Sequence, residues 1–119
     1  MAKKVLVVDD AMFMRKMISD ILNTSDYEVV AEASDGKEAY VKYKNNEPDL
    51  VTMDITMSPV NGIEGVKKIM SDYPDAKILM VSAMGQQQMV VDAINAGAKG
   101  FIVKPFDKEK VLKEISKIL

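Results

Sequence analysis

The chain contains no cysteine and no histidine. Without cysteine there is no disulfide scaffold, no thiolate zinc site and no thiol nucleophile. Without histidine there is no Ser-His-Asp triad, no imidazole metal ligand and no phosphohistidine. Long apolar runs are missing too: the stretch from Val5 stops at Val8, and Asp9-Asp10 follows. Nothing so short spans a bilayer or forms the apolar region of a secretory signal, so no membrane insertion and a cytoplasmic location are expected. Excess positive charge is absent as well, with 16 Lys+Arg against 18 Asp+Glu and a net charge of −2. A nucleic-acid partner is therefore not expected. What remains for chemistry is carboxylate, hydroxyl and ammonium.

The chain has 119 residues, 48% of them apolar and 29% charged, which fits one globular domain over residues 1–119. Five short apolar runs recur: Val5–Val8, Glu28–Ala31, Asp49–Met53, Lys77–Val81 and Phe101–Val103. Continuous runs of this kind suit strands buried on both faces of a parallel sheet. Helical spacing lies between them, clearest at Met14, Met17, Ile18, Ile21 and Leu22, at Ile63, Val66, Ile69 and Met70, and from Val111 to Leu119. Weaker helices are sketched around Ala39–Tyr43 and Met89–Ile94. Asp35-Gly36, Asn61-Gly62, Pro74, Ala96-Gly97 and Asp107 supply starts and stops. The pattern is β-α five times over, an α/β fold with helices on both faces of a parallel sheet.

In such sheets ligands bind beyond the carboxyl ends of the strands. Strand one ends in Asp9-Asp10, strand three in Asp54, strand four in Ser82 and strand five in Lys104-Pro105. Taken singly, each residue has a plain explanation: a helix cap, a turn hydroxyl, a loop lysine. Taken together they converge on one rim. Two carboxylates about 4 Å apart repel by roughly 4 kcal/mol at an effective dielectric near 20. Three of them call for protonation or a cation. An all-oxygen donor set selects a hard ion, Mg²⁺, which commonly serves phosphoryl groups. A carboxylate can itself be the nucleophile that forms an aspartyl-phosphate. Asp54 stands alone on its strand, with Asp9 and Asp10 placed to hold the metal. The ten methionines read as core filler.

Val7-Val8-Asp9-Asp10, Met53-Asp54-Ile55-Thr56-Met57, Asn61-Gly62, Val81-Ser82-Ala83 and Lys104-Pro105-Phe106 resemble, in order and spacing, the receiver domains of two-component response regulators. Asp9 to Arg15 and Ser82 to Gln87 are most similar to the stand-alone CheY-type chemotaxis regulators of thermophilic bacteria and archaea. The resemblance implies a flavodoxin-like sheet of order 2-1-3-4-5 and a cis Lys104-Pro105 bond. It implies that Asp54 accepts phosphate from a CheA-type histidine kinase. It also implies Mg²⁺ on Asp9, Asp10, Asp54 and the Thr56 backbone carbonyl, with Ser82 and Lys104 holding the phosphoryl group.

Activation would then draw Ser82 inward and let Phe101 turn, altering a helix 4–strand 5–helix 5 face that includes Val90, Phe101 and Val103. Many chemotaxis regulators carry Tyr at the Phe101 position, so here the switch has to report by packing alone. The loop after Asp54 departs from the family pattern, with Ser58, Pro59 and Val60 where Pro and Met are usual at the fourth and sixth places. Thr56 and Met84 flank the family's route for hydrolytic water, and neither positions water as a carboxylate or amide does, so slow self-dephosphorylation is expected.

With no appended effector expected beyond the fifth helix, output is expected through protein contacts. The target would be a flagellar motor switch or motor adaptor, a phosphatase is a further possible partner, and the chain would be monomeric. The alternatives are a phosphorelay intermediate, a binding module indifferent to phosphate and a haloacid-dehalogenase-like phosphatase. The last needs an Asp-x-Asp pair on strand one, and here Asp54-Ile55-Thr56 lacks the second acid. A nucleotide or flavin binder is disfavoured, since no Gly-x-Gly-x-x-Gly or Walker loop follows strand one.

Overall fold

The structure is a computed structural model and describes residues 2–119. Met1, the first residue of the expected 1–119 domain, lies outside the described residues. Five strands alternate with five helices: β1 (Lys3–Val8), α1 (Met12–Asn23), β2 (Tyr27–Ala33), α2 (Gly36–Asn46), β3 (Leu50–Asp54), α3 (Gly62–Asp72), β4 (Ile78–Ser82), α4 (Gln87–Ala96), β5 (Gly100–Val103) and α5 (Lys108–Ile118). The strands form one parallel sheet of order β2-β1-β3-β4-β5. Order, direction and helix count match the fold expected from the sequence.

Alternation along the strands sorts the core into two layers, because successive side chains leave a strand on opposite faces. Leu6, Val8, Val51, Met53, Ile78 and Met80 pack with Val66 and Ile69 of α3 and with Val90 and Ala93 of α4. Val5, Val7, Leu50, Leu79 and Val81 pack with Ile18 and Leu22 of α1 and with Val111 and Ile115 of α5. The three central strands β1, β3 and β4 are therefore covered on both sides, which is why they read as unbroken apolar runs.

Polar side chains fix three helix starts. Asp35 accepts from the Glu38 N–H, Asn61 from the Glu64 N–H and Asp107 from the Lys110 N–H, each satisfying a first-turn donor. α1 and α4 have no such cap: Ala11 and Gln86 hold the N-cap positions. The two uncapped starts follow β1 and β4, directly beside the strand ends that carry Asp9 and Ser82.

Thr52 is fully enclosed between Val7 of β1 and Leu79 of β4, and its hydroxyl has no hydrogen-bond partner. An unpaired buried hydroxyl costs stability, and valine has nearly the same shape. Thr52→Val is expected to raise the unfolding free energy by about 1 kcal/mol, read from denaturant midpoints at constant m-value. A loss of stability would show that the hydroxyl is satisfied in solution.

Candidate functional site

β1 and β3 lie side by side, and the chain leaves them toward opposite edges of the sheet. A crevice forms at the carboxyl ends of strands at such a switch point. Asp9 and Asp10 follow β1 and Asp54 closes β3. One oxygen from each of the three carboxylates lies within 4.8 Å of the others. Asp9 and Asp54 are buried and Asp10 is exposed. Lys104, just past β5, reaches in from the far side. Its Nζ is 3.4 Å from Asp54 Oδ1 and 3.5 Å from Asp9 Oδ2. Ser82 ends β4 and is buried, its Oγ donating to the Ile102 carbonyl over a long 3.4 Å. The peptide bond before Pro105 is cis, as the resemblance implied.

The reading of Asp9-Asp10 as a mere helix cap does not hold. Ala11 is the N-cap of α1, and Asp9 spends only Oδ1 on a local bond, from the Ala11 N–H at 2.9 Å. Asp9 Oδ2 is left to the cluster. The cluster is also braced in a way the sequence did not disclose. Arg15, one turn into α1, donates from Nη1 to the Asp9 carbonyl at 2.7 Å and from Nε to Glu32 of β2 at 3.1 Å. Its guanidinium fork ties the turn after β1 to the neighbouring strand.

Burial raises the pKa of Asp54 from 3.8 to about 6, the nearby Asp9 carboxylate adds to this, and Lys104 offsets part of it. Asp9 is raised as well, again chiefly by burial, against the lowering effects of the Ala11 N–H and Lys104. A site that strains to hold its own negative charge suits a divalent cation. The donor set is all oxygen, the three carboxylates already converge, and the chain has no thiolate or imidazole to offer, so the residues fit Mg²⁺.

The raised pKa has a consequence for stability without metal. The folded Asp54 binds its proton more tightly than the unfolded one does. Folding therefore takes up protons between about pH 4 and 6, and stability falls as pH rises through that window. Asp9 acts in the same direction. Chelator-treated protein is expected to melt lower at pH 7 than at pH 5. Asp54→Asn should recover on the order of 2 kcal/mol at pH 7 and flatten the pH dependence, and Mg²⁺ should stabilise the wild type at pH 7. A metal-free wild type more stable at pH 7 than the variant would contradict the electrostatic account.

The remaining expected residues fall nearby. Thr56 sits exposed two residues past Asp54, in the loop that runs to Asn61. That loop carries a cis Ser58-Pro59 bond, at the place where the sequence departs from the family pattern. Val90, Phe101 and Val103 come together with Met84, Val91 and the β4–α4 loop around a cavity of about 430 Å³ that begins at Ser82. Phe101 faces outward, 45% exposed. One further side chain at the rim, Gln86, was not foreseen. Its amide donates to the Thr56 hydroxyl and accepts from the Ala83 N–H.

A doubly wound parallel sheet whose carboxyl edge gathers an acid pair, a buried aspartate, a hydroxyl and a lysine is built as a receiver. Residues 5–116 match the response regulator receiver domain, and the chain belongs to that family. Among its relatives is the chemotaxis protein CheY of Bacillus subtilis, 58% identical over 119 residues that span 100% of this chain and 99% of that one. CheY of Thermotoga maritima is 56% identical over 118 residues, 99% of this chain and 98% of its own. The crystal structure of a CheX-CheY-BeF3-Mg complex from Borrelia burgdorferi superposes with a TM-score of 0.93 at 41% identity, covering 98% of this chain and 88% of that one. The chain is a CheY-type signalling switch.

Proposed function

We propose that Asp54 is the phospho-acceptor, taking its phosphoryl group from the phosphohistidine of a CheA-type kinase. The convergence of three carboxylates and Lys104 on one crevice carries this reading. Asp54 Oδ attacks phosphorus, and the histidine nitrogen leaves with its electron pair. The chain has no histidine to serve as its own donor, which fits a donor histidine on a partner kinase. Asp9, Asp10, Asp54 and the Thr56 carbonyl hold Mg²⁺, which when bound offsets the negative charge gathered at the site. Lys104 Nζ, now shared between Asp9 and Asp54, turns to a phosphoryl oxygen as a point charge. Ser82 exchanges its long bond to Ile102 for a second phosphoryl oxygen. Arg15 keeps Asp9 in place.

The added group brings about two negative charges and strong acceptors. As Ser82 moves, the β4–α4 loop follows, and Phe101 turns into the space lined by Met84, Val90 and Val103. The α4–β5–α5 face then presents a new surface to a motor switch or motor adaptor. A phosphatase is a further possible partner, and the CheX bound to CheY in the Borrelia complex shows that a similar chain takes a second protein. The setting is the cytoplasm and the working form a monomer. Treatment with acetyl phosphate and Mg²⁺ is expected to add one phosphoryl group per chain by intact mass. No addition under conditions that label a known receiver would refute the reading.

Self-dephosphorylation is slow in this account. Thr56 offers only a short hydroxyl and Met84 only a thioether, and neither positions a water as a carboxylate or amide does. The decay of the labelled protein after donor removal checks this, with fast loss in the absence of any phosphatase as the contrary result.

A further inference from the structure

Gln86 holds the N-cap position of α4, yet its side chain does not cap that helix. It turns back across the rim of the site. Nε2 donates to Thr56 Oγ1 at 2.6 Å, and Oε1 accepts from the Ala83 N–H at 2.7 Å. The two partners belong to different loops. Thr56 lies two residues past Asp54, and Ala83 directly follows Ser82. A primary amide has a donor and an acceptor side by side, so one side chain can hold both loops at once. Gln86 also borders the cavity that Met84, Val90 and Phe101 line. One side chain thus touches the acceptor loop, the backbone beside Ser82 and the groove.

We propose that Gln86 is a positioning residue, a latch that ties the β4–α4 loop to the β3–α3 loop in the unphosphorylated protein and has to release before the groove changes shape. The proposal rests on Asp54 as the phospho-acceptor. A phosphoryl group beside Ser82 places charged oxygens within reach of the next backbone N–H. A charged acceptor forms a stronger bond than a neutral amide oxygen. The Ala83 N–H therefore leaves Gln86 Oε1 for the phosphoryl oxygen. Its amide is then held at the Thr56 end alone, and the α4 N-terminus is free to move. The latch sets a threshold: the β4–α4 loop stays tied to the β3–α3 loop until an anion strong enough to displace the amide arrives.

Two variants separate the latch from simple packing. Gln86→Ala removes the amide and its bulk, and Gln86→Met removes the amide but keeps most of the volume. Both should label with acetyl phosphate and Mg²⁺ about 3- to 10-fold faster than wild type, because no bond has to break first. Both should also show faster exchange of the Ala83 amide hydrogen in the untreated protein, measured by NMR alongside a thermal melt.

Thr56→Val should give a smaller gain, and combining it with Gln86→Ala should add nothing beyond Gln86→Ala alone. Labelling at or below the wild-type rate, a gain in Gln86→Ala absent from Gln86→Met, or additive effects of the two sites would overturn the proposal. A wild type that does not label overturns the Asp54 reading instead, and Ala83 exchange then still decides whether the latch exists.

Discussion

Asp54→Asn is expected to take up no phosphoryl group from acetyl phosphate and Mg²⁺, while the wild type is expected to take up one. The amide keeps the volume of the carboxylate and its place at the end of β3, so the fold and its two core layers are undisturbed. What it loses is the anionic oxygen proposed to attack phosphorus. The same substitution removes the buried charge that costs stability at neutral pH. One variant is therefore both silent in labelling and more stable without metal. That pairing separates loss of the nucleophile from loss of the fold, since a misfolded variant would be silent and less stable. Retained labelling at wild-type extent would move the acceptor elsewhere, with Asp9 and Asp10 the nearest candidates.

Gly62→Ala has the largest structural effect. Gly62 opens α3, and its backbone presses against the end of β3. A Cβ there would stand 2.1 Å from the Asp54 carbonyl oxygen and 2.9 Å from Ile55 Cα. Both obstacles are backbone, so no rotamer change relieves the clash. The Gly62 N–H also donates to the Ile55 carbonyl at 2.8 Å, so the helix cannot back away without losing a bond. Destabilisation of about 3 kcal/mol is expected, a fall in Tm of about 10 °C, with labelling reduced because the strand end that carries Asp54 is displaced. Gly85→Ala is the control. That position needs a positive φ of 87° but has nothing within 4 Å of the added carbon, so only the backbone cost of about 1 kcal/mol remains. Equal losses at the two positions would show that steric contact with the acceptor strand is not the cause at Gly62.

Gly62 also shows how far the sequence could be read. Asn61-Gly62 was legible as a helix start, and Asn61 does cap α3. That the glycine is required by the backbone of Asp54, eight positions earlier, belongs to the folded chain. The same division runs through the molecule. β1, β3 and β4 were visible because burial on both faces leaves no room for polar alternation. Their ends were visible because an acid or hydroxyl stops each run, and those ends are the site. The starts were less so: β1 begins at Lys3, and the exposed Lys3 and Lys4 give no apolar signal.

Arg15 and Gln86 were missed for a different reason. Each works through contacts with other elements, Arg15 with Glu32 on β2 and Gln86 with Thr56 in the β3–α3 loop. Neither residue type nor spacing marks such a contact in advance. Asp9-Asp10 was ambiguous between cap and ligand until Ala11 proved to be the N-cap.

The site itself depends on topology more than on any one motif. β1 and β3 are neighbours only because β2 lies on the outer side of β1. That arrangement brings Asp9, Asp10 and Asp54 within reach of one ion, and the short β5 delivers Lys104 to the same point. Localising the label tests the account most directly. Wild-type protein is treated with acetyl phosphate and Mg²⁺, cleaved at acidic pH and mapped by peptide mass spectrometry. The phosphoryl group is predicted on the peptide carrying Asp54 and on no other. A label on the peptide carrying Asp9 and Asp10, or on a serine or threonine, would contradict it.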